Sequence, residues 1–472
     1  MSLVPGTGTV SPARAPWRRL GLFGLLPILS VASPLLVLPV IARATGPEGW
    51  AAVAIGTAVG SAAVALVDVG WVDKGPGMVG RGRSGSPQRV LAASLASRLA
   101  VFLPVLAVIV PVSVLLAPDG HELVSALLTV ATAAIALLPT WYFVARGAPM
   151  RIALYDTLPR VAAAVLAVVP VLVWRSALPF AVLLLVATLG SVAVSAAWEL
   201  RGHGAELASL GIDTVRALRT GWPLAVSGLV GGAYTSLLVP LFAIGTDHDV
   251  LLVAVFAAAV RLMYMAQGGI RACLSAFSGW VAEDWGAGTV HRMRTALLVN
   301  GSAGLVTGMV LAVGMPLLSR VVFGPEIVVP WPVGVGVGVA IASFAVSQSI
   351  MLHVLAPAER IRPIAVVTAV GSVVGVPLLL VASMLDGIVA AAAVVAVVEL
   401  LMLALLLPAA RATVRGLSEA IPEAVTPPAG APVPAPSRGA PSAGVSPIPP
   451  PVPPVPDVEL RPHPSAEEET VR

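Results

Sequence analysis

Residues 250–280 read VLLVAVFAAAVRLMYMAQGGIRACLSAFSGW, an apolar run that carries Arg261 and Arg271 with a tyrosine and a glutamine between them. A hydrocarbon core of roughly 30 Å is crossed by about 20 helical residues, so the run reads as a membrane helix. At about 1.5 Å per residue from Val250, Arg261 lies roughly 17 Å deep, near mid-membrane, and Arg271 lies near the opposite surface. A charge at the bilayer centre costs at least about 2.5–3.5 kcal/mol, so such residues face a bundle interior or a wet cavity. At about 100° per residue, Arg261, Tyr264, Gln267 and Arg271 fall on one stripe about 120° wide. Leu262, Met263, Met265 and Ile270 are left for lipid or neighbouring helices, and Gly268–Gly269 permits a bend or close packing.

The rest of the chain repeats the apolar theme. Of 472 residues, 57% are hydrophobic and 11% charged, against about a quarter charged in soluble domains. Apolar runs at roughly 20–42, 49–71, 90–117, 123–145, 157–174, 178–199, 222–245, 250–279, 296–319, 328–355, 363–385 and 387–408 predict an all-α polytopic membrane protein of about twelve transmembrane helices. The first run exceeds a signal-peptide core and reads as a retained helix. Cationic residues fill alternate loops: Arg14, Arg18 and Arg19, then Lys74, Arg81, Arg83 and Arg89, then Arg146 and Arg151, and so on to Arg360 and Arg362. The other loops hold Arg43, Arg175 and Arg320. The basic side is cytoplasmic, which predicts a plasma-membrane protein with both termini inside.

The expected organisation is a cytoplasmic segment 1–19, a lobe of helices one to six at 20–200, a cytoplasmic linker 201–221, a lobe of helices seven to twelve at 222–410, and a tail 411–472. The linker predicts a surface amphipathic helix with Leu207, Leu210, Val215 and Leu218 apolar. TGPEGWAAVAIGTA and GTDHDVLLVAVFAA, each opening the second helix of a lobe, are a faint sign of duplication. The tail contains TPPAGAPVPAPSRGAPSAGVSPIPPPVPPVP; such a segment buries no core and is expected to be disordered, with docking to a cell-envelope assembly protein as its functional alternative.

Several classes are excluded by what is missing. The sole cysteine, Cys273, and six scattered histidines offer no disulfide framework and no metal site. The sole lysine, Lys74, lies in Asp73-Lys74-Gly75, so there is no nucleotide-binding phosphate loop. No cofactor, nucleic-acid partner or catalytic group is expected, and the chain is not expected to be an enzyme.

Two readings compete for each membrane cation. Arg271, Arg160 and Arg98 lie toward the cytoplasmic face, where snorkelling to headgroups is the alternative to a substrate contact. Arg261 either pairs within the bundle or offers its guanidinium to an anion in bidentate fashion. Tyr234, Thr235, Ser236, Ser343, Ser347 and Gln348 are candidates for bonding a polar ligand, with helix-to-helix bonding as the alternative. Glu399 and Asp68 are the candidate ion or proton sites.

Three stretches carry a family resemblance: LPVIARATGPEGWAAVAIGTAVGSAAVALVDVG, TWYFVARGAPMRIALYDTLPR and WPLAVSGLVGGAYTSLLVPLFAIGTDHDVLLVAVFAAAVRL. In order and spacing they resemble the polysaccharide flippase branch of the multidrug/oligosaccharidyl-lipid/polysaccharide exporter superfamily, over about residues 17–410. The resemblance implies two six-helix lobes around a central cavity, alternating between faces to move a prenyl-diphosphate-linked oligosaccharide outward for surface polysaccharide biosynthesis of the O-antigen kind. It also implies that cavity cations receive the diphosphate, which maps onto Arg261. One departure stands out: an acidic residue followed by arginine, frequent on helix seven of such proteins, is replaced here by Thr235-Ser236-Leu237-Leu238-Val239.

The leading expectation is therefore a flippase, with Arg261, Tyr264, Gln267, Arg271, Arg160 and Arg98 toward the substrate and membrane lipid around it. The alternatives are a drug/cation antiporter of the same fold, a membrane glycosyltransferase or polymerase, and a non-transporting cell-wall scaffold.

Overall fold

The computed structural model describes residues 16–81, 86–202, 210–282 and 288–420, with side chains from Val37 onward. The expected disordered tail beyond Ala420 and the residue Leu207 of the expected surface helix lie outside the described residues. Among the described residues there are helices and no strand. In chain order they are α1 (Pro16–Asp68), α2 (Trp71–Arg81), α3 (Pro87–Leu116), α4 (Glu122–Ala133), α5 (Thr140–Ala145), α6 (Pro149–Ile152), α7 (Leu158–Trp174), α8 (Leu178–Leu200), α9 (Leu210–Ser236), α10 (Leu238–Gly245), α11 (Val250–Ala282), α12 (Thr289–Phe323), α13 (Trp331–Ile350) and α14 (Ile361–Ala420). Ten spans among them are long and apolar enough to cross a membrane, or eleven if the bent pair α9–α10 counts as one.

The expected first and second segments both lie in α1. Its 53 residues are two helices that meet at a kink. It changes direction at Gly46, whose φ of 68° and ψ of −168° are open to glycine alone. Gly387 (φ 64°) divides α14 in the same way. The helix also continues to Ala420, past the expected lobe boundary at 410.

Proline and π-turns shape the remaining departures. The predicted fourth segment is α4, a short 3-10 turn (Ala134–Leu137) and α5, with Pro139 at the break. Two π-turns, Ala153–Thr157 and Met351–Leu355, precede α7 and follow α13. The predicted seventh segment is bent by 58° between α9 and α10. Pro240 explains this bend, because it has no N–H for the carbonyl four residues back.

The expected surface helix in 201–221 is not separate. Residues 210–221 are the opening turns of α9, with Val215 exposed and Ala217 buried. They are fixed to the first set of helices by the ion pair Arg89–Asp213 at 2.7 Å and by Lys74 Nζ donating to the carbonyl of Ala217 at 3.0 Å.

Packing is close where glycines remove side chains. Gly308 on α12 and Gly338 on α13 face each other so nearly that a Cβ on either would lie 2.3 Å from the other's carbonyl oxygen, the small-residue contact that lets membrane helices touch by backbone. α1 packs on α3, α4 and α7, and also on α9 and α11, so it joins the two sets of helices.

The largest cluster of buried apolar side chains contains residues from both sets, including Ile41, Trp50, Phe180, Phe242, Phe256 and Phe323 and, farther along α11, Ile270 and Leu274. Smaller clusters lie around Trp71, Trp141 and Tyr142, around Met293, Ile350, Leu355 and Leu406, and around Val67, Phe102 and Leu137.

Candidate functional site

The polar stripe of α11 faces a cavity of about 630 Å³ between the two sets of helices. Arg261, Tyr264, Gln267 and Arg271 all line it, as the 3.6-residue period of the sequence required. Opposite and beside them stand Tyr234, Thr235 and Ser236 of α9, Ser347 and Gln348 of α13, and Ser372 and Glu399 of α14. Thr57 and Ser61 of α1 and Arg160 of α7 complete the wall from the other set. The two π-turns reach it through Thr157 and Met351, so a local widening of the helix ladder occurs on both sides of the cavity.

The stripe residues are held differently. Among the described residues Arg261 has no ion-pair partner, and its Nε is buried with no hydrogen-bond partner. Arg271 is exposed, with its guanidinium 5.4 Å from the centroid of the Phe344 ring, a cation–π contact. Gln267 is buried on the wall. The phenol of Tyr264 donates to the carbonyl of Thr235, next to the break between α9 and α10. That hydroxyl braces a helix end, so only the ring of Tyr264 is presented to a ligand.

No protein-family model matches the chain, and no curated protein matches it. Solved structures do. A multidrug-resistance MATE family transporter of the MOP superfamily, in its inward-facing conformation, superposes with a TM-score of 0.60 at 14% identity, over 83% of this chain and 99% of that one. The lipid II flippase MurJ, in an inward closed conformation, gives 0.54 at 10% identity, over 85% and 90%. A MOP superfamily transporter from Pyrococcus furiosus, described by the reverse polarity of its binding pocket, gives 0.54 at 14% identity, over 85% and 96%. This chain has the MOP-superfamily fold.

Within the MOP fold, the structure separates the remaining sequence candidates. Arg160 lines the cavity, with its Nε 3.0 Å from a carboxylate oxygen of Asp156 one turn before it. Glu399 lines it as well, 4% exposed, and is the one carboxylate among the described lining residues. Arg98 and Asp68 do not line it. They form an ion pair with each other between α3 and α1. Arg98, 1% exposed, also donates to the carbonyls of Asp68 (3.4 Å) and Leu138 (3.3 Å) and lies 5.9 Å from the Trp141 ring centroid. The expectation that Arg98 meets substrate and that Asp68 is an ion site is thus corrected: each charge is consumed by the other. Burial of two opposite charges is tolerable only with such mutual neutralisation and filled hydrogen-bond positions.

Ser343 is likewise removed from the site, since its hydroxyl bonds back to the carbonyl of Val339 at 2.9 Å and it does not line the cavity. Thr57 and Ser61 were missed. Both back-bond within α1, at 2.7 Å to Val53 and Thr57, and a lone hydroxyl in an apolar helix carries no signal of the face it occupies.

Proposed function

We propose that the protein is a secondary transporter that flips a prenyl-diphosphate-linked oligosaccharide across the plasma membrane by alternating access, in the service of surface polysaccharide synthesis. The single observation that carries this reading is Arg261: a guanidinium on the wall of an inter-helix cavity, with no acidic partner and an unsatisfied buried donor. A diphosphate and a sugar chain cannot enter hydrocarbon bare, whereas a cavity with fixed donors replaces their hydration while the prenyl tail stays in lipid. The printed description of MurJ as a lipid II flippase supports the same substrate class.

The balance of charge on the wall also favours an anion. Among the described residues Arg261 and Arg271 have no ion-pair partner, Arg160 is matched by Asp156, and Glu399 is the one acidic group on the wall. A drug/cation antiporter needs the opposite excess.

Alternating access is supported by the apolar clusters. The largest cluster joins both sets of helices and includes Trp50 and Phe323, while the clusters around Trp71 and around Met293 are separate from each other, which fits an inward-facing state under the predicted topology.

The test is transbilayer movement of a labelled prenyl-diphosphate oligosaccharide in proteoliposomes. The native protein is expected to move it and Arg261→Ala to lower the rate about 10- to 100-fold, the range of one charged hydrogen-bond set. Equal movement by the folded alanine variant removes Arg261 from the substrate site.

A further inference from the structure

We infer that the phenol of Tyr234 and the hydroxyl of Ser347 join Arg261 Nε as donors that hold the diphosphate, on a wall whose one described carboxylate is Glu399; the inference rests on the flippase reading above. The three atoms come from α9, α13 and α11, and all three residues line the same cavity. Each atom is buried with no partner among the described residues. Tyr234 is 3% exposed and Ser347 2%.

A buried polar atom left without a partner costs about 1–3 kcal/mol, so such atoms are rare and ask for an explanation. Local habit does not supply one here. A serine in a helix ordinarily bonds back one turn; Ser343 does so with Val339 at 2.9 Å, and Thr235, beside Tyr234, does so with Gly232 at 3.0 Å. Ser347, one turn after Ser343 on α13, does not. Tyr264, on the same wall, places its hydroxyl on the Thr235 carbonyl; Tyr234 has no such acceptor.

The ring of Tyr234 is nevertheless seated firmly. Its backbone N–H donates to Ser372 Oγ at 3.3 Å, and its ring lies where a Cβ on Gly375 would come within 2.4 Å. Only glycine at 375 leaves room for it. α14 therefore fixes the ring, and the hydroxyl is left without a partner among the described residues.

The chemistry of the ligand follows from the donors. Guanidinium N–H groups donate and accept nothing, and both hydroxyls can add a donated proton. Phosphate oxygens are acceptors that such donors match, with charge-assisted strength. An ammonium ligand would bring like charge to Arg261, although either hydroxyl could accept from it.

The experiment uses the full-length protein in detergent, with farnesyl diphosphate and inorganic pyrophosphate as probes, comparing the native chain with Tyr234→Phe, Ser347→Ala, Ser343→Ala and Arg261→Ala. Tyr234→Phe and Ser347→Ala are expected to weaken farnesyl diphosphate about 5- to 20-fold, while Ser343→Ala leaves it unchanged. Their unliganded melting temperatures should hold or rise, since an unpaired buried hydroxyl is being removed; a fall would mark the hydroxyls as structural and overturn the inference. If only Arg261→Ala loses binding, the subsite is wrong and the flippase reading stands. If the native chain binds neither probe, both fall. Tighter binding of farnesyl diphosphate than of pyrophosphate supports the lipid-linked source, and equal binding overturns that part in favour of free diphosphate.

Discussion

A membrane arginine is read by its partners, and Arg98 and Arg261 show the two outcomes. Both are arginines in apolar helices, and in the sequence they differ only in depth. The acid that decides the matter, Asp68, is thirty residues from Arg98 along the chain and meets it only through the packing of α1 on α3. Arg98→Met is therefore expected to leave Asp68 buried and unpaired, lowering stability by about 3–5 kcal/mol. The measurement is thermal unfolding in detergent, together with farnesyl diphosphate affinity of the surviving folded fraction, which should match the native value. A weakened affinity with unchanged melting would return Arg98 to the binding site. The stripe on α11 was legible in advance because helical periodicity is a local property; the pairing of Arg98 was not, because ion pairing is a tertiary one.

Elements were legible to the extent that hydrophobicity defines them, and their breaks were not. The apolar runs placed the cores of the helices, yet the geometry of the kink at Gly46, the π-turns at 153–157 and 351–355, and the extension of α9 back to Leu210 depend on the backbone. Composition is blind to these. The α12–α13 contact is of the same kind: Gly308 and Gly338 look like ordinary apolar-helix glycines until their backbones are seen to meet. Gly308→Val must push the two helices apart or distort one of them, and overpacking of this sort costs about 1–3 kcal/mol. The expected result is a lowered melting temperature with little change for Gly314→Val on the same helix, where a Cβ would meet only Leu318 side-chain atoms at 3.5 Å and beyond.

For the molecule as a whole, the alternating-access reading proposed above puts opening toward the side assigned to the outside under the control of the contact between α1 and the second set of helices. Its centre is Trp50, whose Nε1 donates to the Ala254 carbonyl on α11 at 3.1 Å while its ring lies 4.8 Å from that of Phe323 on α12. One side chain of α1 thus reaches both a carbonyl and an aromatic ring of the second set. This has a meaning in time as well as in shape. A neutral hydrogen bond contributes about 1 kcal/mol net, which is about a fivefold factor in an equilibrium or a rate. Trp50→Phe keeps an aromatic ring and loses the N–H, so the outer face should be open about five times as often. In a Cys273→Ser background carrying Ser61→Cys on the cavity wall, an impermeant maleimide added outside should label about five times faster when Trp50 is replaced; an unchanged rate would show that the seal lies elsewhere. On the transporter reading proposed above, Trp50 then acts as the clock of the resting protein, setting how briefly an empty carrier exposes a water-filled, cationic path to the outside and so how much the membrane leaks between turnovers.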